Sequence, residues 1–158
     1  MPHSFHSLLI HAVFSTKDRV AHMDAELRSD LFPYMGGILR EMGCSARLIN
    51  GTADHVHLLI DLSADLSVAE CMRVVKANSS RWIHETWPQH RTFAWQTGYG
   101  AFAVSASNED AVFDYIRTQE EHHRRISFRD EFVALLRKHR VPFDEKFLWD
   151  GSVARSTG

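Results

Sequence analysis

Cysteine is scarce in this chain. Cys44 and Cys71 are the two it has, far apart and outside any CxxC. Such spacing offers neither a disulfide framework nor a thiolate metal site, and it suits a reducing, cytoplasmic setting. Long apolar runs are missing as well. No stretch approaches the roughly 18–20 residues of a membrane helix, and Met1-Pro2-His3-Ser4-Phe5-His6 lacks the basic start and apolar segment of a signal peptide. Charge of one sign is also lacking. A formal net charge of −2 excludes a protein that coats nucleic acid non-specifically, so any DNA contact has to be made by local basic patches. Histidine, by contrast, is plentiful, with 11 in 158 residues. Hydrophobic residues at 44% and charged residues at 24% suit one soluble domain with a substantial core. Residues 1–150 are expected to form that domain. Residues 151–158, polar and without periodicity, are expected to be a disordered tail.

The stretch Asp54-His55-Val56-His57-Leu58-Leu59-Ile60-Asp61 alternates like a half-buried strand. Alternation places His55 and His57 on one face, with Val56, Leu58 and Ile60 on the other. Two imidazoles two residues apart on a strand project in parallel. They either hold one metal ion from the same side or serve as two structural histidines. A first strand is expected over Phe5–Ser15, with His11 on the face opposite Ile10, Ala12 and Phe14, where it either looks out beside the histidine pair or simply ends the strand.

Asp24 is placed to cap a helix running to about Met42, with Leu27, Leu31, Tyr34, Met35, Ile38 and Leu39 as its stripe, an irregular turn near Pro33, and Gly43 as its stop. Ser45–Asn50 forms a second strand, hairpin partner of the histidine strand across Gly51-Thr52-Ala53-Asp54. Ser67 caps a second long helix from Val68 to about Thr86, on which Arg73, Lys76 and Arg81 read either as a solvated face or as phosphate contacts. Phe93–Gln96 reads as a short edge strand and Ala101–Ser105 as a fourth main strand. A third helix, capped by Ser107 or Asn108, is expected to continue unbroken through His123, and a last one spans Arg129–His139. The order β-α-β-β-α-β is that of the ferredoxin-like split βαβ, an α+β fold with a four-stranded antiparallel sheet and helices on one face. The C-terminal helices are additional, and the histidine face is expected to be open.

On the third helix Tyr115 and Gln119 are four apart and share a face that His122 continues. Helix spacing alone reads these as a packed tyrosine and a solvated glutamine. Four segments, taken together and in order, resemble one family: His55-Val56-His57; Lys76-Ala77-Asn78-Ser79-Ser80-Arg81-Trp82-Ile83; Phe93 through Phe102; and Tyr115-Ile116-Arg117-Thr118-Gln119-Glu120-Glu121-His122-His123. They resemble the single-tyrosine HUH transposases of small bacterial insertion sequences, the transposase A and REP-associated kind, over about residues 3–149.

The resemblance implies that His55, His57 and Gln119 hold one divalent ion, Mg²⁺ or Mn²⁺, and that Tyr115 attacks a DNA phosphate to give a 5′-phosphotyrosine and a free 3′-hydroxyl. It also implies C-terminal helices that carry the nucleophile, single-stranded DNA with hairpin ends as substrate, and a homodimer in which each tyrosine helix serves the partner's histidines. Under it, Lys17, Arg73, Lys76 and Arg81 become candidate DNA contacts, with Trp95 and Tyr99 as base-stacking candidates. Asp54 and Asp61 either orient an imidazole or serve as turn and strand-end residues, and His122 is a candidate proton acceptor by helix position. Two other readings are a domesticated, non-mobile relative that binds and nicks hairpin repeats, and a nucleic-acid-binding module without catalysis.

Overall fold

The computed structural model describes residues 4–144 and 148; the expected tail at 151–158 lies outside them. Four strands form one antiparallel sheet: β1 (Leu9–Ser15), β2 (Ser45–Gly51), β3 (His55–Asp61) and β4 (Gly100–Val104). Their order is β2-β3-β1-β4, with β3 and β1 central. Val13 pairs with His57 and Ser15 with His55, so the two histidines lie in the middle of the sheet and not at an edge. At the β2–β3 turn, a Cβ on Gly51 would stand 2.2 Å from the His55 carbonyl oxygen, a contact that only glycine escapes.

One face of the sheet carries α1 (Ala25–Glu41) and α2 (Val68–Thr86). Asp24 and Ser67 cap them, accepting from Leu27 N and Glu70 N, and Gly43 at φ 78° follows the end of α1. Both caps and the apolar stripe were legible as sequence. The expected irregularity at Pro33 is not found: α1 runs through it. Phe14, Val56, Leu58 and Ile60 pack there against Leu27, Leu31, Met35, Cys71, Met72 and Val75. Burial of each such side chain contributes about 1.5–3 kcal/mol, which anchors β3 by its apolar face. Phe93–Gln96 makes only an isolated bridge, Thr16 to Trp95, flanked by the backbone bonds Lys17 N to Ala94 O and Gln96 N to Ser15 O. The Trp95 side chain turns into this core and donates to Ser79 Oγ at 2.9 Å. Trp95 is therefore a core residue and not a base-stacking platform.

The second face is not open. It is covered by α3 (Glu109–Arg117), α4 (Gln119–His122) and α5 (Phe128–Lys138). Leu9, Leu59 and Val104 pack on Ile116 of α3, while Val13 and Phe102 pack on Phe128, Phe132, Leu135 and Leu136 of α5. The expected continuous helix to His123 is interrupted at Thr118 (φ −102°, ψ 27°), whose hydroxyl donates back to the Asp114 carbonyl at 2.9 Å. A 3₁₀ turn over Ala106–Asn108 leads into α3, with no side-chain cap from Asn108. None of the described helices is long and apolar enough to cross a membrane.

Candidate metal and nucleophile site

Because β3 is central and its second face is roofed, His55 and His57 are both 0% exposed. A buried imidazole needs partners for both nitrogens. His55 Nδ1 has Asp54 Oδ1 at 2.8 Å and the Thr52 hydroxyl at 3.0 Å; its Nε2 faces Gln119 Oε1 at 3.1 Å and Glu131 Oε1 at 3.5 Å. His57 Nδ1 meets His11 Nε2 at 2.8 Å, and its Nε2 lies 3.1 Å from Glu131 Oε1.

Glu131, on α5, was not foreseen from the sequence, and it is the hub of the site. Its carboxylate is 1% exposed. Oε1 faces His57, His55 and, at 3.0 Å, His123 Nε2. Oε2 accepts from Gln119 Nε2 at 3.1 Å and from the Tyr115 hydroxyl. Burial alone would raise its pKa, but hydrogen bonds from His123 and His57 and the charge of His57 hold it far below the usual carboxylate range. Tyr115 is pushed the opposite way, first by burial and then by the Glu131 charge, so it is firmly a phenol at neutral pH. Burial lowers His57, against the opposing pull of Glu131. His123 is raised because its hydrogen bond to Glu131 and that residue's charge outweigh burial.

The donor set fits a divalent cation. One ligand atom each from His55, His57 and Glu131 lies within 4.8 Å of the others. Gln119 Nε2 donates to Tyr115 O (3.3 Å) and to Glu131, which turns Oε1 toward His55. With Nδ1–H of His55 given to Asp54, its Nε2 lone pair faces the Gln119 and Glu131 oxygens. Three acceptors converging on one point are reconciled by a proton or a cation among them. The outer partners match as well, since metal-binding histidines commonly give their other N–H to a carboxylate or another acceptor. Asp54 does this for His55 and His11 for His57. His11 is 3% exposed, and burial, followed by the nearby charge of His57, lowers its pKa to about 3. It is therefore neutral and able to accept from His57 Nδ1–H when His57 Nε2 is a ligand.

Other expected residues fall elsewhere. Asp61 sits at the far end of β3 and pairs with Arg47 at 3.3 Å, so it orients no imidazole. The ring of His122 lies 4.7 Å from that of Tyr115, centroid to centroid. Arg73 pairs with Glu70, and Arg81 bonds Asn78 at 3.3 Å, both on exposed parts of α2, across the sheet from the histidines. Lys76 is committed to structure: its ammonium donates to the carbonyls of Gln96, Thr97 and Gly98 at 2.6, 3.2 and 2.9 Å, which pins the approach to β4. Lys17 is exposed in the turn after β1, and Tyr99 is 37% exposed. Tyr115 and Gln119 meet the histidines of their own chain, where the resemblance implied a partner's.

Three comparisons bear on this arrangement. The family profile described as Transposase IS200 like matches residues 4–119. None of the curated proteins matches the chain. Among solved structures, a crystal structure of a protein from Deinococcus radiodurans R1, described there as a candidate transposase, is 20% identical with a TM-score of 0.64, covering 75% of this chain and 95% of that one. A REP-associated tyrosine transposase bound to a REP hairpin is 13% identical with a TM-score of 0.60, covering 78% of this chain and 72% of that one. Both are likenesses of fold.

Proposed function

Given that the chain belongs to the IS200-like transposase family, we propose that it cleaves and rejoins single-stranded DNA at hairpin-bearing ends through a covalent 5′-phosphotyrosine on Tyr115. The observation that carries this reading is the shared carboxylate. Glu131 turns one oxygen to the paired histidines and the other to the tyrosine hydroxyl, so a cation site and a nucleophile are held by one side chain.

The residues divide the work. His55, His57 and Glu131, with the Gln119 oxygen, would hold a divalent ion, and imidazole ligands move the preference from Mg²⁺ toward Mn²⁺ and later metals. That ion would supply Lewis acidity and orientation to a scissile phosphate. Asp54 and His11 hold the two imidazoles in the required tautomers. Tyr115 Oη attacks phosphorus, the bond from phosphorus to O3′ breaks, and the proton given up by the phenol is balanced by one taken up at the departing 3′ oxygen. The phosphodiester is conserved as a phosphotyrosine, so rejoining needs no ATP. A proton acceptor is essential because a phenol is a weak nucleophile near neutrality. Glu131 Oε2 accepts the hydrogen bond of the hydroxyl and aims it, but held far below the usual carboxylate range it is a weak base, and His122 is the imidazole whose ring lies beside the phenol.

The family resemblance implies a homodimer with exchanged tyrosine helices, while the geometry of this chain supports a site completed in cis. One experiment addresses both points. Single-stranded oligonucleotides with hairpins from the DNA flanking the coding sequence are incubated with Mn²⁺, Mg²⁺ or chelator and run on a denaturing protein gel. A metal-dependent covalent adduct is expected for the native chain and for neither Tyr115→Phe nor His57→Ala. Mixing those two variants leaves the adduct absent if each chain uses its own tyrosine. Its return on mixing would establish exchange between subunits. Hairpin binding without any adduct, equal in all three proteins, would reduce the chain to a binding module.

A further inference from the structure

Beside Tyr115 lies a cleft of about 360 Å³, most of whose lining the chemistry above does not use. Its floor is the Tyr115 and Glu131 side chains together with His11, and its walls are β4, α3 and α5. Val104, Val112 and Leu135 make those walls apolar. Width comes from two small residues, Ala111 on α3 and Ala134 on α5, both exposed. The imidazoles of His122 and His139 add flat π surface, the latter stacked on Phe102 at 4.4 Å, and the exposed Lys138 puts a cation at the rim.

Resting on the reading of a single-stranded DNA substrate, we propose that this cleft takes one unpaired nucleotide, the neighbour of the scissile phosphate. Its base would enter between Val112 and Leu135, with its outer phosphate on Lys138. The volume is at the small end for ligand sites, room for a single nucleotide and not a duplex. Apolar walls with π surfaces are what an unstacked base requires. Because Tyr115 itself is in the lining, a phosphate brought to that side chain leaves an adjoining nucleoside beside the cleft.

The test uses the full chain with dAMP, dTMP and deoxyribose 5-phosphate as probes, read by saturation-transfer NMR. Base protons of both nucleotides are expected to be saturated and the sugar phosphate to bind much more weakly. Ala134→Trp and Ala111→Trp fill the cleft from opposite walls at exposed positions. Each is expected to weaken nucleotide binding at least about tenfold, with the fold checked by circular dichroism. Undiminished base saturation in a folded filled variant overturns the proposal, as does sugar phosphate binding as tightly as the nucleotides. Adduct formation by the native chain is scored separately. An adduct with no base saturation removes the cleft alone, whereas base saturation with no adduct on any hairpin strand removes strand transfer and leaves the nucleotide site.

Discussion

Replacing Glu131 with alanine is expected to lower the free energy of unfolding by about 3–5 kcal/mol, the usual cost of removing one partner from a buried charged cluster. The reason lies in what would be stranded. His57, His123, Gln119 and the Tyr115 hydroxyl all direct hydrogen bonds at this one buried carboxylate. His57 and Gln119 are left in a site that water does not reach, and a buried unsatisfied group costs about 1–3 kcal/mol, while the half-buried His123 and Tyr115 lose a charge-assisted partner. Glu131→Gln keeps the shape and an acceptor oxygen, so the stability loss should be smaller, while the charge needed by a cation is gone. Urea denaturation measures the first effect. Mn²⁺ titration followed by EPR measures the second, with affinity in Glu131→Gln expected to fall at least about tenfold. Equal Mn²⁺ affinity in the native chain and Glu131→Gln would remove Glu131 from the ligand set.

Acid is expected to destabilise the chelator-treated protein from just below neutrality, well before ordinary carboxylates titrate. His11 is the main cause. Its folded pKa of about 3 lies below its ordinary value of 6.5, lowered by burial and then by His57, with His139 and Lys138 adding to the fall and Glu131 opposing it. The unfolded chain therefore takes this proton first. Stability is fully present above pH 6.5 and falls by about 1.4 kcal/mol per pH unit down to about 3. His57, also lowered, acts in the same direction below pH 6.5. Glu131, held low, extends the loss once pH falls through the ordinary carboxylate range. His123 is raised, so its contribution is present below 6.5 and fades only as pH rises through its folded value. Urea midpoints across pH 7.5 to 4.5 give the slope, and His11→Phe should flatten it by one histidine's share. An unchanged slope would mean that His11 is not held neutral by its surroundings.

Much of this site is legible in the sequence. Alternation on β3 puts His55 and His57 on one face, and the same period-two logic offers His11 either to that face or to a strand end, a choice that the contact between His11 and His57 decides. Helix spacing put Tyr115 and Gln119 together. Glu131 escaped because the second sheet face was read as open. With no roof to explain, the last helix was treated as a peripheral addition. The signal was nonetheless present in its stripe, where Phe128, Phe132, Leu135 and Leu136 form an apolar face and Glu131 stands on that same face at i+3. A carboxylate in the middle of a stripe that must be buried has to be paired, and the unpaired histidines were the available partners. Lys76 failed in the other direction. Its place on an exposed-looking helix suggested phosphate, but no local pattern announces three carbonyls brought in from a loop some twenty residues later. The break at Thr118 was also hidden, since threonine in a polar helix is common and its hydroxyl bond back to Asp114 occurs in unbroken helices as well.

In the proposed reaction the Tyr115 Oη is the point of attachment to DNA. The most direct measurement traps the covalent product on a hairpin-bearing single strand, digests both protein and DNA, and locates the residual nucleotide by peptide mass spectrometry. The account predicts a deoxynucleoside 5′-phosphate on the peptide containing Tyr115 and a free 3′-hydroxyl on the released strand. A nucleotide on any other side chain, or a 3′-phosphate on the released strand, would contradict it.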